Sequence, residues 1–500
     1  MTRPRIRVPD PGGVRSFWLE EALAVDAGEP CPPLGARIAA DVCIVGGGFA
    51  GLWTANELME REPGLRVALL EADICGGGAS GRNGGFVSSS WHDIEALADI
   101  YGEREGVRYA LALASEIDAL GAWCRRNGVD AWFHKGGVLA ARAGGWQPDR
   151  SPEAEALLLR HGIERRELDA EQARGVADSP RFVGGIMGED TAIVQPARLA
   201  RGLRRVALER GVRIYEGTRA TRIDAGRPAV VRSERGAVRA DQVVLTIGAW
   251  AAGWPGFRRA FGNIADYMVV TEPIPSLLRD DLGWTSWAGI VDRRELLYYL
   301  RRTDDDRIAI GGGSTGVLFD GRIGPASTHD RRVAEVAAEG LLWLFPQLEG
   351  IRFTHAWGGP IDMTASFTPF FETREPGNVH AGLGFSGHGL AATKLGGRTL
   401  ASLVLGSEDE WSTLPVVGPP VGAAPPEPLR WPLVRAAVWG LEAGDRAESA
   451  GRRRSPLQRA LGWGPVANRN RLGGRGVRLG DPARRAGASV HEPPPRSAPR

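Results

Sequence analysis

Residues Ala40–Glu71 read ADVCIVGGGFAGLWTANELMEREPGLRVALLE, and this stretch decides the fold. Val42–Val45 is a short apolar run with β-branched character, as a buried strand requires. It ends in Gly46-Gly47-Gly48-Phe49-Ala50-Gly51, a G-x-G-x-x-G. A helical run follows to about Glu62 and stops at Pro63-Gly64. A second apolar strand, Val67–Leu70, ends in Glu71. Each part has a physical task. Gly46 permits the tight turn, Gly48 lets backbone N–H groups approach a pyrophosphate, and Gly51 lets helix and strand pack closely. Phe49 and Ala50 open the helix, whose N-terminus carries partial positive charge toward the phosphates. Glu71 can accept hydrogen bonds from a ribose 2′-OH, which favours an unphosphorylated ribose and therefore FAD or NAD.

Working outward, the next segment is Ala72–Gly85, ADICGGGASGRNGG. Its small residues, one guanidinium and one amide suit a loop wrapped around an anionic cofactor. Farther along, Asp190–Pro196 leads into a helical run, Pro196–Arg210, with proline in the first turn. Strands are expected at Val212–Tyr215 and Thr218–Asp224. The apolar strand from Ala240 ends in Thr246-Ile247-Gly248-Ala249-Trp250. A late glycine cluster, Gly384-Phe385-Ser386-Gly387-His388-Gly389, follows a strand and opens a helix, Leu390–Leu405, whose N-terminus can stabilise negative charge.

With 500 residues, the chain is long enough for two or three domains. A hydrophobic content of 43%, a charged content of 24% and a formal net charge of +2 give no overall basis for nucleic-acid binding. The cations are almost all arginine; the lysines are Lys135 and Lys394. Cys31, Cys43, Cys75 and Cys124 form no metal-ligand pattern or disulfide framework, so no metal is expected. The N-terminal residues lack the apolar core of a signal peptide, and no apolar run approaches the ~20 residues of a membrane span. A cytoplasmic protein that binds no membrane is expected.

The combination GGGFAGL…LLEADICGGGASGRNGGF resembles the FAD-dependent oxidoreductases of the D-amino-acid oxidase (DAO) class, and within it the gamma-glutamylputrescine oxidase-like branch. The resemblance implies an α/β fold: a glutathione-reductase-type, Rossmann-like three-layer FAD-binding domain with an antiparallel-sheet α+β substrate domain. It places Ser80, Arg82, Asn83, Gly84 and Gly85 against the cofactor, beside Glu71 and Ala72. Thr246–Trp250 resembles an element that passes the FAD pyrophosphate, which implicates Gly248, Ala249 and Trp250; Thr218–Ala220 would lie near the adenosine. Gly384, Ser386, Gly387, His388 and Gly389 would lie against the isoalloxazine. The LLYYLRRTDDDRIAIGGG hairpin resembles the sheet that roofs the flavin, making Tyr298, Tyr299, Arg301 and Arg302 candidate substrate contacts. Strand alternation lets only some of these face inward. His388, Tyr299 and Arg301 are the candidate catalytic residues.

Two departures from the family pattern are informative. Sarcosine-oxidase-like relatives carry a lysine three positions after the histidine, where this chain has Ala391. Lys394, one turn farther on, reads as a surface lysine. No cysteine lies at Gly311–Gly316, so non-covalent FAD is expected.

The expected layout has an N-terminal extension at 1–37, with Ser16–Leu23 a short docked segment. FAD-binding parts follow at 38–92, 190–255 and 351–406. Substrate-domain parts lie at 93–189, with a strand at Trp132–Ala141, and at 256–350. A linker with C-terminal helices occupies 407–466, and a disordered Arg/Pro-rich tail occupies 467–500. The expected reaction is oxidation of a C–N bond in a small amine or amino acid, such as a gamma-glutamylputrescine-like or N-substituted amine, by hydride transfer to flavin N5. Oxygen or another electron acceptor would reoxidise the flavin. A hydroxy-acid or polyol dehydrogenase and a non-catalytic flavoprotein partner remain alternatives, and oligomeric state is open. His92, just after the flavin loop, reads as structural.

Overall fold

The computed structural model describes residues 8–9, 15–143, 151–324 and 327–461. The expected 467–500 tail lies outside the described residues. Two large sheets organise the chain. The first has eight strands, and its main path runs Phe370–Arg374, Val379–Leu383, Ala237–Leu245, Arg37–Val45, Val67–Leu70 and Arg213–Tyr215. Arg37–Val45 sits at its centre, parallel to both Ala237–Leu245 and Val67–Leu70. Burial explains its composition: Val42, Cys43, Ile44 and Val45 are all buried. Ala220–Asp224 and Ala229–Ser233 form an antiparallel flap on Ala237–Leu245.

Helices Phe49–Arg61, Pro196–Glu209 and Gly389–Leu405 cover one face. The two helices that contain the first and last glycine motifs pack against each other. Gly397 makes this possible, because a Cβ there would come 2.6 Å from the Trp53 Cβ.

The second sheet has nine strands. At its centre the hairpin Tyr298–Arg302/Ile308–Gly312 lies between Gly262–Thr271 and Gly289–Asp292. The expected hairpin therefore forms, with Thr303–Arg307 as its turn. Val138–Arg142, Gly184–Gly188 and Arg166–Leu168 extend the sheet, and helix Arg331–Leu344 covers it. Helix Phe17–Val25, capped by Ser16, docks on Pro196–Glu209 and on the long strand Phe353–Met363.

Three sequence expectations change. First, Phe353–Met363 pairs along its whole length with Gly262–Thr271, so it belongs to the second sheet and the expected return at 351 comes one strand too early. Its apolar and glycine-rich sequence fits either sheet, and only partner register decides. Second, helices Ile94–Tyr101 and Glu103–Arg126 share the core of the first-sheet helices, so the segment 93–189 does not lie wholly with the second sheet as expected. Trp123 meets Trp53 edge-on at 4.8 Å. Third, the strand expected from Trp132 begins at Val138, because Trp132 has φ 49° and cannot continue a ladder.

Candidate active site

A continuous cleft of about 1040 Å³ lies between the two sheets. Gly46, Gly48, Phe49 and Ala50 border it at one end, and Gly387, His388 and Gly389 border it at another. The two glycine motifs, more than three hundred residues apart, thus share one slot. Its volume sits at the upper limit of single-ligand pockets, as a dinucleotide plus a small substrate requires.

The elbow is built as the spacing dictates. Gly46 has φ +112°, and a Cβ there would come 2.6 Å from the Thr246 carbonyl oxygen. Gly51 does not line the cleft; a Cβ on it would come 2.0 Å from the Gly46 carbonyl oxygen. Its task is close helix–strand packing. The Ser80 hydroxyl accepts from Phe49 N–H at 2.8 Å, so Ser80 ties the wrapping loop to the helix N-terminus. Asn83 secures the same loop: its amide donates to the Ala79 and Ser80 carbonyls, and its oxygen accepts from Gly85 N–H. Arg82 donates to the Gly77 and Gly358 carbonyls, tying the loop to the second sheet.

Glu71 lines the cleft at the end of Val67–Leu70. One carboxylate oxygen accepts from Gly47 N–H at 2.7 Å and the other from Asp73 N–H at 2.9 Å. Each oxygen keeps acceptor capacity for a ribose hydroxyl. Burial pushes this carboxyl above its usual range against the pull of both amides. Ala72, Arg82, Gly84, Thr218–Ala220, Gly248, Ala249 and Trp250 also line the cleft. The donor set and the space fit FAD: Glu71 and Thr218–Ala220 would hold the adenosine, the elbow the phosphates and the late turn the ring. Glu71→Ala is expected to weaken FAD binding about 10- to 100-fold, the worth of one or two hydrogen bonds to a charged acceptor. Equilibrium dialysis of the flavin checks this, with circular dichroism unchanged; retention equal to the parent refutes the assignment.

The late turn is held from beneath. Gly384 and Ser386 do not line the cleft. Gly384 N–H donates to the Asp362 carboxylate at 2.6 Å. Ser386 adopts φ +52°, uncommon for a non-glycine residue. Thr364 N–H donates to its hydroxyl at 3.1 Å, holding it there. Burial pushes Asp362 up to about 6. The folded chain therefore holds a proton that the unfolded chain has released between about pH 4 and pH 6. Stability falls as pH rises across that window and levels off above it. Asp362→Asn, which cannot ionise, is expected to flatten this decline by about 1–3 kcal/mol, read by denaturant titration at a series of pH values.

On the second-sheet side, Tyr299 lines the cleft and its hydroxyl donates to Asp266 at 2.7 Å. Gly84 and Gly311 clear room for the ring: a Cβ on either would come within 2.7 Å of it. Burial pushes Asp266 up to about 6, opposed first by the Tyr299 hydrogen bond. His388 lies beside His92, their ring centres 5.2 Å apart, and His92 Nε2 is 3.0 Å from Asp93 Oδ2. Donor atoms of these three residues all fall within 4.8 Å of one another. His92, read as structural, thus lines the cleft next to His388. Asp266 and Asp362, also lining the cleft, carry only a weak sequence signal: an acid within a strand of mostly apolar residues.

Arg301 is corrected. It is fully buried outside the cleft, donates to the Val194 and Arg302 carbonyls, and lies under the Trp18 ring. Burial lowers it to about 9. Alternation puts it on the same strand face as Tyr299, but helix Phe17–Val25 and the Thr191–Pro196 segment cover that part of the face. Tyr298 and Arg302 point elsewhere, to the Val336 and Trp284 carbonyls. Lys394 is not a surface lysine: it is 2% exposed and bonds the fully buried Glu116 at 2.7 Å.

The two sheets, the glycine elbow and the ring-side turn define an FAD-binding oxidoreductase. The chain belongs to the FAD dependent oxidoreductase family, whose model, DAO, matches residues 41–403. It is 31% identical to gamma-glutamylputrescine oxidoreductase of Escherichia coli K12 over 386 residues, 76% of this chain and 87% of that protein. It is 27% identical to the probable oxidoreductase OrdL of Haemophilus influenzae over 389 residues, 76% and 86% of the two chains. Among solved structures, glycine oxidase from Geobacillus kaustophilus shares the fold with a TM-score of 0.59 at 20% identity, covering 75% of this chain and 96% of that one. L-proline dehydrogenase from P. horikoshii does so with a TM-score of 0.61 at 19% identity, covering 76% and 96%. No described helix is long and apolar enough to cross a membrane.

Proposed function

We propose that this chain oxidises the C–N bond of a small cationic amine, of the gamma-glutamylputrescine-like or N-substituted kind, with dissociable FAD, in the cytoplasm. The observation that carries this reading is the charge of the cleft lining apart from the adenosine end, the elbow and the wrapping loop: Asp93, Glu95, Glu164, Glu189, Asp190, Asp266, Asp292 and Glu295 outnumber Arg165, Arg293 and Arg294. Such a wall attracts and orients a positively charged amine. The family membership and the named relatives support the same class.

When bound, FAD would supply a two-electron acceptor for the carbon next to the amine nitrogen. The chain's residues do the rest. Asp266, ionised above about pH 6, faces the amine with Tyr299 fixed against it. His92, paired with Asp93, is placed to take a proton from the substrate ammonium. The helix beginning at Gly389, whose first residues line the cleft, would hold the flavin ring and favour negative charge on it through its N-terminal dipole. Hydrolysis of the imine follows its release. Oxygen or another acceptor would take up the electrons.

Anaerobic reduction of the holoenzyme flavin, screened against N-acylated polyamines, free diamines, N-methyl amino acids and hydroxy acids, tests the reading. Rapid bleaching by a cationic amine is expected; bleaching by hydroxy acids alone, or by nothing, overturns it. Asp266→Asn should lower kcat/KM about 10- to 100-fold with flavin retained, the worth of a lost charge-assisted contact.

A further inference from the structure

The family match ends at residue 403, yet the described chain continues to 461 and returns to the cleft. Helix Arg430–Ser449 is anchored at its start. Arg430 donates to the Arg258 and Phe261 carbonyls at 3.0 and 3.2 Å, and the Trp431 indole donates to the Val317 carbonyl at 3.3 Å. Farther along, Leu441 lines the cleft itself. Glu442 accepts from the Ser314 hydroxyl.

The contact of consequence lies one turn beyond. Asp445, buried, accepts from Leu296 N–H at 3.0 Å. Leu296 belongs to the connection between strands Gly289–Asp292 and Tyr298–Arg302, and Asp292, Arg293, Arg294, Glu295 and Leu297 of that connection all line the cleft. Arg454 ties the arrangement together, reaching Asp445 at 3.0 Å, Glu448 at 2.6 Å and Glu295 at 3.4 Å. From within, Asp292 accepts from Tyr298 N–H at 2.8 Å and pairs with Arg294 at 2.7 Å. The loop is thus pinned on both sides, and the outer pin is supplied entirely by residues 429–461.

We infer that segment 429–461 is a brace of the substrate site: Asp445 and Arg454 are positioning residues that hold the 292–297 loop over the cleft, and Leu441 is a specificity-determining part of its wall. A hairpin connection held only at its strand ends would sample many conformations, and a buried carboxylate bonded to its backbone removes that freedom. The cost of the ordering is met on folding, so the substrate meets a preformed wall. The inference takes the substrate end from the proposed function, but its first readout needs no substrate.

The test compares full-length holoenzyme with Asp445→Ala, Asp445→Asn and Leu441→Phe. Amide hydrogen exchange across 292–297 is expected to rise about tenfold or more in Asp445→Ala, the equivalent of losing ~1.4 kcal/mol of local protection. Asp445→Asn keeps an acceptor for Leu296 N–H and should recover part of the protection. With the reducing amine, Asp445→Ala should raise KM about tenfold while the limiting rate of flavin reduction changes little. Leu441→Phe should shift preference toward shorter amines. If Asp445→Ala fails to accumulate, Arg454→Gln serves in its place, since it withdraws the guanidinium and leaves Asp445 present. A fall in melting temperature with unchanged exchange over 292–297 and unchanged KM would overturn the brace. Absence of any reducing amine would overturn the proposed function and leave the exchange result to judge the brace alone.

Discussion

Gly51→Ala is expected to yield protein that holds no FAD and is destabilised by about 3 kcal/mol or more. The added Cβ would come 2.0 Å from the Gly46 carbonyl oxygen and 2.8 Å from the Thr246 hydroxyl oxygen. The first contact is backbone, so no side-chain rotation relieves it. Helix Phe49–Arg61 must therefore move off strand Arg37–Val45, and its N-terminus leaves the phosphate position. The flavin absorbance of purified protein and a urea denaturation curve check both halves. A yellow, normally stable Gly51→Ala protein would show that helix and strand are not in the register described.

Lys394→Met should cost about 3 kcal/mol, because it leaves the buried Glu116 carboxylate with Arg398 as its one remaining cationic partner among the described residues. Glu116 is fully buried, and besides Lys394 its other cationic neighbour among the described residues is Arg398, at 3.3 Å. Lys394 also lies 5.1 Å from the Trp53 ring centre, so both partners sit where three helices meet. The double variant Lys394→Met/Glu116→Leu is expected to recover most of the loss, since replacing both members of a buried pair removes the orphaned charge. Urea midpoints of the two single variants and the double measure the coupling. A Lys394→Met variant as stable as the parent would show that Arg398 alone compensates the Glu116 charge.

Lys394 also shows where sequence reading stops. A lone lysine on a helix is ordinarily solvated, and its partner Glu116 lies 278 positions away. Nothing local in either segment announces the pairing. Arg301 failed for the opposite reason. Alternation assigned its strand face correctly, but what covers that face is helix Phe17–Val25, a segment far off in the chain. His92 was legible as a residue but not as a site, because its neighbour His388 comes from the other end of the chain.

What the sequence by itself determined was the geometry of the glycine-rich segments of the cleft: the elbow, the acid at Glu71, the wrapping loop and the late turn. Those rest on backbone conformations and close approaches that only particular residues permit at particular spacings, so their signature is local. Tertiary structure alone decided the substrate side, because there the determinants are contacts between segments. Phe353–Met363 could join either sheet, Asp266 acquires its character from burial beside Tyr299, and the 292–297 loop takes its place from a helix more than a hundred residues later. Contacts of that kind depend on how segments are brought together, which no short window of residues records.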